Sequence, residues 1–120
     1  MTDFGKLLRK LRIDYNEVLY DMAKKLKVSP AFLSSVENGR KSAPPNWVPV
    51  IVEKYSLNSK QAKELQKAAD LTTRHVRINL EKANNSKREL ALAFARRFEG
   101  LNKEQRNEML QILNTDQEGA

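Results

Sequence analysis

The sequence has no cysteine among its 120 residues, and only one histidine and one tryptophan. Without cysteine there are no disulfides, no thiol nucleophiles and no Cys-bound zinc. The sequence also has no apolar run long enough to span a membrane, and no charged segment followed by an apolar run of signal-peptide length. We therefore expect a cytoplasmic protein with no membrane partner.

Enzymatic signatures are scarce as well. The sequence has no Gly-rich phosphate loop and no acid–base constellation at a recognisable spacing. The lone histidine, His75, is interpreted as an ordinary surface residue, with a pH switch as the alternative. The sequence thus predicts no catalytic residue, no metal site and no cofactor.

Positive charge is what the chain has in excess. The formal net charge at pH 7 is +7, and the isoelectric point is about 9.8. Residues 1–60 carry 11 basic and 6 acidic side chains, whereas residues 61–120 carry 11 and 9, so most of the excess lies in the first half. This balance favours polyanionic partners, either nucleic acid or an acidic protein surface.

Apolar spacing predicts five short helices before Thr72. In the first, apolar residues from Phe4 to Leu11 recur at i, i+3, i+4 and i+7. Ser29-Pro30 is typical of a helix start and Gly39 of a helix end. The predicted helices cover about residues 3–13, about residues 18–26, Pro30 to just before Gly39, a segment capped by Asn46, and an Asn58–Gln61 capping box through about Asp70.

The stretch from Met22 to Arg40, preceded by the run from Gly5 to Arg12, resembles the Cro/phage-repressor (XRE) family. The Met-Ala pair, the Val-Ser-Pro turn and the Ser-x-Val-Glu-Asn-Gly-Arg ending keep the family's spacing, and the resemblance covers residues 3–70. It implies an all-α fold, with a five-helix lambda-repressor-like DNA-binding domain at residues 1–71 and a C-terminal extension. The second and third helices would form a helix-turn-helix that enters the DNA major groove.

The resemblance also implies roles for the third helix and the loop after it. Short side chains allow close approach to base edges, and the Ala31 methyl can meet a thymine methyl. Phe32 is either a thymine or sugar contact or a cover over the core, while Arg40 and Lys41 either grip phosphates or belong to a solvated loop. The implied DNA-binding residues are Ser29, Pro30, Ala31, Phe32, Ser34, Ser35, Asn38, Arg40 and Lys41.

Glu37 is an acidic residue beside this expected phosphate surface, where a free carboxylate would repel DNA. In the family that the chain resembles, the arginine that ends the first helix pairs with the glutamate that ends the third. The resemblance therefore implies a structural bridge between Arg12 and Glu37.

The chain departs from the family's pattern at two positions. Leu19 stands where many relatives have a glutamine that contacts DNA, so that contact is missing or is supplied by Asn16, Glu17 or Tyr20. Lys27 stands at the turn position where relatives often have glycine. This predicts a non-glycine residue with a positive φ, at a cost of about 0.5–1 kcal/mol.

Residues 72–114 are interpreted as a dimerisation or partner-binding extension. The period-2 alternation of apolar residues predicts a strand over residues 75–80, with a helix as the alternative. Two helices follow, one opened by a Ser86–Glu89 capping box and ended at Gly100, the other opened by Asn102–Gln105, and residues 115–120 are predicted to be a disordered tail. The candidate dimer or partner contacts are Val76, Ile78, Leu80, Leu90, Phe94 and Phe98.

These features together predict a sequence-specific regulator that binds double-stranded operator DNA, a homodimeric repressor in which strand 75–80 pairs with its symmetry mate. The alternative is an antitoxin, whose extension binds a toxin protein while the helix-turn-helix represses their shared promoter. A purely structural interaction module is a third class. Basic residues of the sixth helix could meet an acidic partner, extend the DNA surface or form a solvated face; they are Arg88, Arg96 and Arg97.

Overall fold

The computed structural model describes residues 1–115, and over that range the chain is all-helical, which confirms the predicted all-α class. It divides into two compact units, the first running from Met1 to Val76 and the second beginning at Arg77. The first unit contains α1 (Asp3–Asp14), α2 (Leu19–Leu26), α3 (Pro30–Glu37), α4 (Trp47–Lys54) and α5 (Ser59–Asp70). The second contains α6 (Asn85–Arg97), a 3-10 turn (Phe98–Gly100) and α7 (Lys103–Asn114).

Side-chain caps begin three helices of the first unit. The Thr2 hydroxyl accepts from the Gly5 N–H at 3.0 Å and begins α1, and the Ser29 hydroxyl accepts from the Phe32 N–H at 3.1 Å and begins α3. The predicted capping box at the start of α5 is confirmed, because Asn58 and Gln61 exchange hydrogen bonds of 2.8 and 2.9 Å. These caps satisfy backbone N–H groups that the first turn of a helix leaves unpaired.

The predicted cap at Asn46 is wrong. Asn46 precedes α4, but its side chain makes no capping hydrogen bond. Its backbone is already helical, with φ −79° and ψ −11°, whereas a capping residue needs an extended backbone to bring its side-chain oxygen over the first turn.

The core of the first unit joins all five of its helices. α1 packs on α3 and α5, α2 packs on α3 and α4, and α4 packs on α5. Trp47 lies at its centre, with its ring 6.4 Å from that of Phe4. Burying an aliphatic or phenylalanine side chain in this core contributes about 1.5–3 kcal/mol to the free energy of unfolding. The largest fully buried side chains are Trp47, Phe4, Leu8, Met22, Leu33, Ile51, Leu65 and Val36.

Two left-handed residues bracket α3. Lys27, between α2 and α3, has φ +59°, as predicted, and the Val28 N–H closes the end of α2 by donating to the Ala23 carbonyl at 3.0 Å. Gly39, just after α3, has φ +79°, and the next residue, Arg40, donates its N–H to the Ser35 carbonyl at 2.9 Å. Both ends are helix terminations that require a left-handed residue.

The chain after α5 departs from the predictions in two places. Residues 75–80 form no strand and no helix, because an edge strand needs a partner backbone and the described residues of this all-helical chain offer none. The cap of α6 is Asn84, whose side chain accepts from the Lys87 N–H at 2.9 Å, so the helix begins before the predicted Ser86. The Asn102–Gln105 capping box of α7 is confirmed.

No side chain of α6, of the 3-10 turn or of α7 is buried. Across residues 1–115, none of the helices combines the length and the apolar character needed to cross a bilayer. Of the predicted tail, residues 115–120, all but Thr115 lie outside the described residues.

Candidate nucleic-acid interface

The third helix is anchored on one side and open on the other. Leu33 and Val36 are fully buried in the core, which directs the opposite side of α3 outward. That opposite side carries residues at i, i+3, i+4 and i+7, a single stripe along the helix. Its members, which we call the α3 stripe, are Ala31, Ser34, Ser35 and Asn38.

The α3 stripe is made of small side chains. Ala31 and Asn38 are exposed, and Ser34 and Ser35 are half-buried. Asn38 donates from its amide to the Ser34 carbonyl at 3.0 Å, which holds the largest side chain of the stripe against the helix. The backbone of α3 can therefore approach another surface closely, with two hydroxyls able to donate or accept.

The loop after α3 is basic and folds back toward the helix. Arg40 and Lys41 are both exposed, and the Lys41 ammonium lies 6.0 Å from the centroid of the Phe32 ring. Phe32 in turn packs edge-on against Trp47, with ring centroids 5.8 Å apart. Of the two interpretations of Phe32, the structure therefore favours a cover over the core, at the margin of the α3 stripe.

The structure brings Arg12 and Glu37 together as a bidentate ion pair, with donor–acceptor distances of 2.5 and 3.2 Å. Both residues are buried, at 7% and 2% exposure. The pair joins the last turn of α1 to the last residue of α3, so the one acidic residue of α3 is neutralised inside the protein. Its charge is thereby kept off the surface that carries the α3 stripe.

A second polar cluster, which the sequence analysis missed, supports the start of α2. The Tyr55 hydroxyl donates to Glu17 at 2.5 Å, and the same carboxylate pairs with Lys25. The Lys25 ammonium lies 4.5 Å from the centroid of the Tyr55 ring, and the Tyr15 hydroxyl donates to the Tyr55 carbonyl at 2.8 Å. Burial, followed by the hydrogen bond to Glu17, raises the pKa of Tyr55 above its usual range.

This cluster limits which residues can make the DNA contact that many relatives make through a glutamine at the position of Leu19. Leu19 is half-buried and packs against the core, so it offers no polar group. Glu17 is occupied by Tyr55 and Lys25, whereas Asn16 and Tyr20 are exposed. Of the three predicted substitutes for the glutamine, the structure leaves Asn16 and Tyr20 accessible.

Of the six candidate dimer or partner residues, five are exposed and Leu80 is half-buried. Val76 is the last residue of the first unit, and the other five candidates lie in the second unit. The structure brings Phe94 and Phe98 together, with ring centroids 5.5 Å apart. Val76 is the most exposed of the six, at 83%. The large apolar side chains that remain exposed in α6, the 3-10 turn and α7 are Leu90, Leu92, Phe94, Phe98, Met109, Leu110, Ile112 and Leu113.

No family model matches the chain, and neither a curated protein nor a solved structure matches it. The functional argument therefore depends on the chemistry of the chain's own residues. Those residues form an anchored helix with a short-chain outer stripe, followed by a basic loop.

Proposed function

We propose that the chain is a sequence-specific double-stranded DNA-binding transcriptional regulator whose first unit is a lambda-repressor-like five-helix domain. The observation that carries the proposal is the contrast between the two sides of α3. Leu33 and Val36 are buried, whereas the α3 stripe presents only small side chains outward. A helix with this character can enter the major groove, which is about 12 Å wide, without steric conflict.

This surface offers groups for both the base edges and the phosphates of a DNA site. Hydroxyls of the α3 stripe can bond base edges, and the Ala31 methyl can contact a thymine methyl. Arg40 and Lys41, on the loop after the helix, are exposed cations in a position to bind phosphates, which orient the protein without reading sequence. With so few direct base contacts, specificity depends strongly on groove shape and on the spacing of two half-sites.

The second unit supports a dimeric repressor. Its helices have 13 and 12 residues and bury no side chain, and isolated helices of that length are marginal in water. A second copy that covers the exposed apolar residues would stabilise them and would hold two copies of α3 about one DNA turn, roughly 34 Å, apart.

An antitoxin is the second candidate, and the same exposed apolar residues favour it. A toxin protein could cover them in place of a second copy, while the first unit binds the shared promoter. Light scattering on the purified chain separates the two candidates. A dimer supports the repressor, whereas a monomer that forms a stable complex with the product of a neighbouring gene supports the antitoxin.

Binding-site selection tests the shared part of the proposal. The purified chain is incubated with a library of random DNA duplexes, and the enriched duplex is then titrated at several salt concentrations beside a scrambled duplex. We expect one enriched sequence with two-fold symmetry and an affinity that falls steeply with salt, because phosphate contacts release counterions. No enrichment, together with salt-independent binding, would overturn the proposal.

A further inference from the structure

We propose that Arg74, which lies beyond α5, is an additional DNA-backbone contact of the interface that ends α3. The inference rests on the proposed function, because it names a further residue of the same surface. Arg74 belongs to a short segment that follows the last helix of the first unit. Nothing in the sequence pattern associates this segment with α3, which ends 37 residues earlier.

Thr72 fastens this segment to the loop after α3. It is buried, at 5% exposure, and its hydroxyl accepts from the Ala43 N–H at 2.9 Å while donating to the Ala69 carbonyl at 2.6 Å. One side chain thus ties the end of α5 to the loop that carries Arg40 and Lys41. The segment is therefore part of the first unit and is held in place against that loop.

Arg74 makes two further bonds to the same loop. Its N–H donates to the Ser42 hydroxyl at 3.0 Å, and its guanidinium donates to the Gly39 carbonyl at 2.6 Å. Gly39 directly precedes Arg40, so the guanidinium of Arg74 is held next to the basic residues Arg40 and Lys41. An arginine held in this way loses less conformational entropy on binding than a freely rotating one.

The charge of Arg74 remains available to an anion. Among residues 1–115, the ion pairs are those of Arg12 with Glu37 and Lys25 with Glu17, so no carboxylate neutralises Arg74. The guanidinium has five N–H donors, and the bond to Gly39 uses one of them. Arg74 is exposed, so the other donors face solvent.

The Gly39 bond also changes the electrostatics at the end of α3. Carbonyls at the C-terminal end of a helix carry partial negative charge, which opposes the approach of a phosphate. The guanidinium of Arg74, held at Gly39 two residues beyond the last residue of α3, places a positive charge close to those carbonyls and offsets theirs. An open hollow of about 320 Å³ adjoins it, which is roomy enough for a phosphate group, and it is lined by Thr2, Gly39 and residues 71–75.

The experiment compares the full chain with Arg74→Gln, which removes the charge but keeps an N–H donor for the Gly39 carbonyl. Lys63→Gln is the matched control, because Lys63 is an exposed cation on α5, which packs on α1 and α4. Affinity is measured on the enriched duplex and on a scrambled duplex at salt concentrations from roughly 50 to 300 mM. Thermal melts of all three proteins are recorded in parallel.

We expect Arg74→Gln to weaken binding to both duplexes by about tenfold, because a phosphate contact carries no sequence information. The slope of log affinity against log salt should fall by about 0.9 for each bound protomer. The melting temperature should stay unchanged, Lys63→Gln should behave as the unmodified chain, and Arg74→Lys should restore the slope.

The outcomes are distinguishable. If the unmodified chain shows no salt-dependent DNA binding, the proposed function fails. If the unmodified chain binds and Arg74→Gln keeps both affinity and slope, only the inference about Arg74 is overturned. A loss of affinity with an unchanged slope and a lower melting temperature would also overturn it, because Arg74 would then be a structural tether.

Discussion

The guanidinium of Arg12 and the carboxylate of Glu37 form a buried, bidentate ion pair that joins α1 to the end of α3. α3 is only eight residues long, so its own hydrogen bonds do little to fix its direction. The pair adds a directional bond to the apolar anchors Leu33 and Val36. It therefore helps to hold the end of α3 on α1, together with the Thr2 N–H and hydroxyl, which both donate to the Glu37 carbonyl.

Arg12→Met should lower the free energy of unfolding by about 3–5 kcal/mol, because it leaves the Glu37 carboxylate buried without a partner. The double variant Arg12→Met/Glu37→Leu should recover most of that loss, since it removes both charges. Urea titrations followed by the fluorescence of the buried Trp47 measure both changes. An Arg12→Met variant with unchanged stability and unchanged DNA affinity would contradict the assigned role of the pair.

Lys27→Gly should be neutral or should raise stability by about 0.5–1 kcal/mol, because glycine adopts the observed φ of +59° without steric cost. Lys24→Gly is the control, since Lys24 is exposed inside α2, where glycine costs roughly 0.5–1 kcal/mol. Thermal melts of the two variants should shift in opposite directions, or Lys27→Gly should not shift at all. A clear loss of stability in Lys27→Gly would contradict a strained turn.

Tyr55 should make the stability of the first unit sensitive to alkaline pH. Burial and the Glu17 hydrogen bond raise its pKa in the folded state, so the stabilisation from this group is complete below the unfolded value of about 10. It is then lost as the pH rises further, because the unfolded chain releases the proton first. Urea titrations from pH 8 to about pH 11 should show a steeper decline for the unmodified chain than for Tyr55→Phe.

Tyr20→Phe is the control for this pH series, because Tyr20 is an exposed tyrosine on α2. It should keep the steep decline of the unmodified chain. Equal alkaline slopes for the unmodified chain and Tyr55→Phe would show that the Tyr55–Glu17 bond does not contribute in solution.

Ala31→Glu should abolish selective DNA binding, with a loss of at least about 100-fold, because it sets a carboxylate against the polyanion. Ser59→Glu is matched to it, since both changes add glutamate to the first turn of a capped helix, where a negative charge is tolerated. Electrophoretic mobility shifts measure binding, and melting curves verify that both variants fold. An equal loss of DNA affinity in the two variants would contradict the assignment of the α3 stripe as the DNA-contacting surface.

Phe98→Asp should convert a dimer to a monomer, because it places a charge among the exposed apolar residues of the second unit. Ile13→Asp is the comparison, since Ile13 is exposed to a similar extent on α1. Sedimentation or light scattering at several protein concentrations gives the masses. A Phe98→Asp dimer as stable as the original would locate the contact between copies elsewhere.

The helix starts could be predicted from local capping hydrogen bonds. Ser29, Asn58 and Asn102 each bond an N–H three residues ahead, so spacing along the chain is enough to recognise them. The left-handed turn at Lys27 is instead expected from the family resemblance, which places glycine at this position in many relatives. Where two polar residues compete within such a window, spacing does not choose between them, and Asn84 rather than Ser86 caps α6.

The helical class, most helix ends and the small outer residues of α3 could be predicted from the order of residues along the chain. The packed fold adds two long-range contacts that no sequence pattern indicated: Tyr55 reaches Glu17 across 38 residues, and Arg74 reaches Gly39 across 35. It also decided that residues 75–80, despite their alternation, form no strand within one chain. The difference is one of distance along the chain, because the residues that complete a cap or a turn are its immediate neighbours in sequence. A long-range bond or a strand instead requires a partner that only the packed chain, or a second chain, can bring near.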